Sequence, residues 1–165
     1  PTKSNDMKYT AFLFLLFCCF AFTPSRNGIH AADDTNTLTD RLNSIDSIIR
    51  NGKIVVIDYW FMGCAQCKKT IPDMDGIARE YAPKGVKVYG LNPIDDPAKV
   101  KTYHSTKGLF YTMYAITSEV AQKHYVYDYP TVVIYKNGKP ALTIEGSSAL
   151  LHQQITDKLN ELLKK

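Results

Sequence analysis

Asp58-Tyr59-Trp60-Phe61-Met62-Gly63-Cys64-Ala65-Gln66-Cys67 is the stretch on which the reading of this chain turns. It follows an apolar run, Ile54-Val55-Val56-Ile57, and leads through Lys68-Lys69 into a helical pattern. Two cysteines two residues apart in that setting are a redox pair, a metal site, or a structural or chance pair. A metal site needs four ligands, usually from a second C-x-x-C or a His pair at matching spacing. Beyond Cys64 and Cys67 the chain has only Cys18 and Cys19, and His30, His104, His124 and His152 are scattered. Haem attachment needs His directly after the second cysteine, and position 68 is Lys. A strand before and a helix after favour redox chemistry. They put the first sulfur at a helix N-terminus, where backbone N–H groups and the macrodipole stabilise a thiolate, and the second one turn in, facing the protein body.

Outward from the motif, Leu38, Leu42, Ile45 and Ile49 recur at spacings of three and four, so a helix runs to about Arg50 and stops at Asn51-Gly52. Lys53 to Tyr59 reads as a strand buried on both faces. After the motif, a helix to about Ala82 turns Ile71, Met74, Ile77 and Tyr81 inward and breaks at Pro83-Lys84-Gly85; Val86 to Leu91 is the next strand. Pro97 to Lys107 reads as a helix, Phe110 to Ile116 as a short strand, and Ser118 to His124 as a helix capped by Ser118. Thr131 to Lys136 and Pro140 to Ile144 make a hairpin around Asn137-Gly138. Leu151, Ile155, Leu159 and Leu162 lie on one face of a closing helix.

A chain of 165 residues is enough for one core. Met7 to Ala32 has the anatomy of a secretory signal: Lys8 as a positive start, Ala11 to Phe22 as an apolar stretch, and Ala31-Ala32 as small residues near a cut. Twelve apolar residues fall short of the roughly 20 that span a bilayer. The expectation is an exported protein, with residues 1–32 removed and 33–165 forming the mature domain. An uncleaved anchor is the alternative; lipidation at Cys18 fits poorly because Phe17 precedes it. Cleavage leaves two cysteines, both in the motif, and 17 basic against 15 acidic residues, a net charge of +2 with no basic stripe. No nucleic-acid partner is expected.

These residues resemble the thioredoxin-fold thiol-disulfide oxidoreductases over roughly Leu38 to the C-terminus. Asp58 stands six residues before Cys64, at the place of the family's buried carboxylate, and Trp60 four before, at that of its tryptophan. Pro72 falls at the kink of the active-site helix, Tyr129-Pro130-Thr131 at the cis-proline strand, and Gly146 in the following strand-to-helix loop. From Asn92 to Pro130 the chain advances 38 positions, about twice what a minimal thioredoxin uses there. An inserted helix-strand-helix there resembles the exported, TlpA/ResA-like branch of bacterial envelopes, whose members include cytochrome c maturation reductases.

The resemblance implies an α/β thioredoxin fold, a central mixed sheet flanked by helices, and protein-disulfide reduction through Cys64 and Cys67. Cys64 would attack as a thiolate and Cys67 would resolve the mixed disulfide, with Asp58 as its base. The family's Lys near this Asp falls on Gly90, so Asp58 lacks an ion-pair partner and its pKa should stand well above the usual 4. Pro130, Tyr129, Gly63, Met62 and Trp60 would form the substrate groove, although aromatics at a strand end, Trp60 and Phe61 included, more often pack beneath. The four histidines have no partners that the sequence identifies. Implied partners are client proteins with disulfides or cysteines and a membrane electron donor; no cofactor or metal is implied, and a monomer is expected. A reductant is favoured because the Ala65-Gln66 dipeptide lacks the His that strong oxidants of this fold often carry. A disulfide oxidase or isomerase, and a non-catalytic partner- or metal-binding module, remain as alternatives. Peroxidase activity lacks its Thr-x-x-Cys arrangement.

Overall fold

A computed structural model describes residues 34–164. The secretory signal and its cleavage point, and with them the boundary drawn at residue 33, lie outside the described residues. Helix α1 (Asp34–Asn51) leads into strand β1 (Ile54–Tyr59), helix α2 (Ala65–Tyr81), a 3-10 turn (Ala82–Lys84) and strand β2 (Val86–Asn92). Helix α3 (Pro97–Lys107), strand β3 (Thr112–Ala115) and helix α4 (Ser118–Lys123) follow, then strands β4 (Thr131–Lys136) and β5 (Lys139–Glu145) and helix α5 (Leu151–Leu163). The five strands form one sheet in the order β3-β2-β1-β4-β5. β1 runs parallel to β2 and antiparallel to β4, so the sheet is mixed and β1 is its centre.

Alternation along β1 divides the core into two layers. Ile54, Val56 and, beyond the strand end, Trp60 join Ile71, Met74 and Ile77 of α2, Val100 of α3, and Leu151, Ile155 and Leu159 of α5. Val55, Ile57 and Tyr59 point the other way, to Ile45 and Ile49 of α1 and to Val120 and Ala121 of α4. Because both faces are covered, all six β1 residues are buried, which is why the strand reads as continuous rather than alternating apolar sequence. The four α5 anchors at 151, 155, 159 and 162 are each at most 7% exposed, and each such burial contributes about 1.5–3 kcal/mol.

Local chemistry sets the boundaries. The β4–β5 hairpin turns at Asn137 (φ 49°) and Gly138 (φ 79°), two positive-φ positions that suit Asn-Gly and match the twist of the strands. The inserted helix-strand-helix is present, with two adjustments. The strand is shorter than Phe110 to Ile116, because pairing with β2 covers only Tyr89 to Asn92. The cap of α4 is Thr117, whose hydroxyl oxygen accepts the Val120 N–H; Ser118 instead donates its hydroxyl to the Pro93 carbonyl at 3.1 Å. Adjacent hydroxyl residues compete for the cap, and the one in extended backbone takes it.

Candidate active site

The cysteine pair lies where β1 gives way to α2. Cys64 is the N-cap of α2, in extended backbone, and its sulfur accepts the Cys67 amide N–H at 3.0 Å. The two sulfurs are bonded at 2.07 Å, so the described state is the disulfide. Cys64 keeps 8% exposure and Cys67 none. The first sulfur therefore borders solvent while the second is sealed beneath it. The first turn of α2 holds no acidic residue, and Lys68 and Lys69 follow it exposed. Once the pair is reduced, both the helix terminus and these cations favour a thiolate at Cys64.

Facing the pair is the segment before β4. The Tyr129–Pro130 bond is cis, and the Tyr129 carbonyl oxygen lies 3.9 Å from Cys64 Sγ. Gly146 donates its N–H to the Pro130 carbonyl at 2.8 Å, and the Thr131 hydroxyl donates to the Asp128 carbonyl at 2.8 Å, anchoring the segment on both sides. The Tyr129 ring meets Phe61 edge-to-face with centroids 5.5 Å apart. Met62 is half-buried and Gly63 exposed. Trp60 departs from its place in the expected groove. It is fully buried, its backbone N–H donates to the Leu91 carbonyl at 3.0 Å, and its ring packs on Tyr103 with centroids 5.0 Å apart. Alternation past Asp58 sends it under the site as a floor.

Asp95 is a residue the sequence reading passed over. Its Oδ2 accepts the Met62 amide N–H at 2.6 Å and an Asn92 side-chain N–H at 2.8 Å, while Asn92 Oδ1 accepts the Ile94 and Asp95 amides. The loop after β2 thus clasps the loop that carries Cys64. An Asn at a strand end bonding its own backbone two and three residues on is a turn signal that composition alone carries weakly. Asp95→Ala should destabilise the domain by about 1–3 kcal/mol. The Met62 amide should exchange faster, as hydrogen exchange and thermal unfolding would measure.

Asp58 is fully buried, on the same face of β1 as the layer that contains Cys67. Burial pushes its carboxyl up to about 7 against the ordinary 3.8, with the Tyr111 hydroxyl opposing the shift. Gly90 is its register partner on β2. No cation faces it there: a Cβ at 90 would stand 2.9 Å from Met113 Cγ, 3.1 Å from Trp60 Nε1 and 3.1 Å from the Tyr111 ring. Three of the histidines stand near polar groups that the sequence did not identify. His104 Nε2 is 3.0 Å from the Tyr111 carbonyl, His124 is 3.5 Å from Asp46, and His152 is 3.7 Å from Asp73. All three contacts are long-range or depend on helix packing, so spacing could not reveal them.

A cavity of about 540 Å³ between α1 and β3 is lined by Ile45, Ile48, Tyr114 and Ile116 and is remote in sequence and layer from the pair. A groove of about 440 Å³ begins at Met62 and continues along Ala98, Lys99, Thr102 and Tyr103 of α3. Exchange with a protein disulfide needs an open surface, so the groove at Met62 is the relevant one despite its smaller size. Among the described residues no group of three or more His, Cys, Asp or Glu is arranged to hold a metal, and no helix is long and apolar enough to cross a membrane.

A helix-capping cysteine disulfide in a five-stranded mixed sheet defines this domain as a thioredoxin-fold thiol-disulfide oxidoreductase. The chain belongs to the AhpC/TSA family, which matches residues 30–142. It is 30% identical to the thiol-disulfide oxidoreductase ResA of Bacillus thuringiensis over 117 residues, 69% of this chain and 64% of that one. It is 32% identical to the thioredoxin of Thiocapsa roseopersicina over 92 residues, 56% of this chain and 90% of that one. Among solved structures, a putative thiol:disulfide interchange protein DsbE from Chlorobium tepidum superposes with a TM-score of 0.63 at 20% identity, covering 76% of this chain and 84% of the other. The chain spans about half the length of one further relative, the M-type chloroplast thioredoxin of Spinacia oleracea, at 47% of it.

Proposed function

We propose that the protein is an exported protein-disulfide reductase, on the strength of one observation: a disulfide whose first sulfur caps α2 at the surface while the second is buried below. In the dithiol form, the Cys64 thiolate attacks one sulfur of a client disulfide and the other client sulfur leaves as a thiolate. Cys67 then gives its proton to the Asp58 carboxylate and attacks Cys64 Sγ. The second client thiolate leaves, and the Cys64–Cys67 disulfide forms. Two electrons pass from the domain to the client, and a thiol-bearing membrane donor restores the dithiol. The Tyr129 backbone beside Cys64, with Met62 and Gly63, offers an extended client segment a place to lie, and Pro130 holds that wall against the pair. The monomer, the envelope location and a part in cytochrome c maturation belong to the same reading. Peroxide reduction is disfavoured because Phe61 occupies the position three before Cys64.

The test is insulin reduction with dithiothreitol as electron source, paired with a glutathione equilibrium. Accelerated precipitation and a potential near that of thioredoxin, about −270 mV, are the expected results. A potential near −120 mV would reverse the direction to oxidation, and no acceleration at all would leave a binding module.

A further inference from the structure

The inserted region brings to the buried acid a group that the reading above does not use. Tyr111, in the segment between α3 and β3, is 2% exposed, and its ring passes 3.1 Å from where a Cβ on Gly90 would stand, directly across the β1–β2 register from Asp58. The segment is pinned on both sides. The Phe110 amide N–H bonds Asp75 Oδ1 of α2 at 2.5 Å, and the Tyr111 carbonyl meets His104 Nε2 of α3 at 3.0 Å. Arg79 adds an ion pair to Asp75 at 2.8 Å and lies over the Phe110 ring. At the end of this strap, both oxygens of Asp58 and the Tyr111 hydroxyl are buried, and none of the three completes a hydrogen bond of good geometry to a protein group in the disulfide state. A buried carboxylate and a buried hydroxyl side by side each relieve the other's desolvation when they bond.

We propose that Tyr111 is the positioning residue for Asp58: held by the strap in the space that Gly90 leaves open, its hydroxyl closes a hydrogen bond to the carboxylate in the dithiol form and stabilises the charged form that takes the Cys67 proton. The inference rests on the reading of Asp58 as base. Among the described residues, the acid is paired with Gly90 on β2 and Val132 on β4, and besides the Tyr111 ring the Trp60 indole nitrogen stands 3.1 Å from where a Cβ on Gly90 would lie. Cys67 of α2 belongs to the core layer on that side of β1. Asp75 and Tyr103 act on Tyr111 rather than on Asp58.

Tyr111→Phe removes one hydroxyl and keeps the ring that packs on Gly90. In the reduced full chain, carbon-13 NMR titration of the Asp58 carboxyl should move upward by about one pH unit in this variant. The acid limb of the rate of Cys64–Cys67 disulfide closure should follow it, lowering the rate at pH 7 about fivefold, since the ionised fraction of an acid with midpoint about 7 falls from about one half to about one eleventh. An unchanged Asp58 midpoint overturns the positioning role, whatever the variant does to stability. A midpoint that moves while the closure profile does not keeps the Tyr111–Asp58 contact and overturns instead the assignment of Asp58 as base. If Tyr111→Phe fails to fold, His104→Ala, which frees the strap and leaves the hydroxyl, should shift the same midpoint in the same direction; no shift there counts against the proposal equally.

Discussion

Cys67→Ser is expected to turn a catalyst into a trap. Turnover of a protein disulfide should fall by at least about a thousandfold, as removal of one member of a reactive unit does, while client proteins accumulate on Cys64 as mixed disulfides. The geometry explains both halves of the result. Cys64 stays at the surface as the cap of α2, with the cations behind it intact, so the first attack proceeds. The sulfur that should displace the client, fully buried beneath the first, is gone. Non-reducing gels of extracts carrying the variant, with Cys64→Ser as control, measure the outcome. If the Cys67→Ser variant yields no adducts beyond that control, the pair is not an exchange site.

Asp58→Asn is expected to raise stability and lower activity together. The folded-state carboxyl stands at about 7 against 3.8, so between those values the folded protein binds a proton that the unfolded chain has lost. Stability therefore falls as pH rises through this window, and is complete only below about 3.8. About three units at 1.36 kcal/mol each sets a ceiling of about 4 kcal/mol for the cost at pH 8. Replacement by a neutral isostere removes it. Denaturant unfolding should show Asp58→Asn more stable than the parent at pH 8 by up to that amount, with the advantage shrinking to nothing toward pH 4. Over the same range, disulfide closure near pH 7 should slow by about a hundredfold, the usual contribution of a general base. A constant stability difference across pH 4 to 8 would mean that Asp58 titrates normally.

The two effects share one cause. Asp58 lies in the wall of the central strand between two packed layers, so its charged form lacks solvent. The same desolvation that weakens the fold at high pH brings the carboxyl near the pH at which a thiol proton can be taken. Gly90 sharpens the effect, since a cation at that position would hold the acid ionised.

Much of this was legible in residue spacing. The apolar continuity of Ile54 to Ile57, the cysteines directly after it, and Pro130 ahead of Thr131 to Lys136 carry the strand order of the site, because a buried parallel strand feeding a helix leaves few other arrangements. The helix periods at Ile45 and Ile49, and at Leu151 to Leu162, were readable because one face of each packs on the sheet. Less legible was anything that depends on contact across the chain. Met62 and Asp95 are 33 residues apart, and Phe110 and Asp75 are 35 apart. No period or motif joins them. The cap of α4 moved from Ser118 to Thr117 because the choice rests on backbone angle, which composition does not record.

Sequence alone determined that a surface sulfur would precede a buried one at a strand-to-helix turn, since hydrophobic run length and local helix chemistry act within a few residues. Only the tertiary structure decided what surrounds Asp58. Trp60 went beneath the pair, Gly90 opposite the acid, and Tyr111 into the space between, because close packing of distant segments selects neighbours by shape and volume rather than by order along the chain.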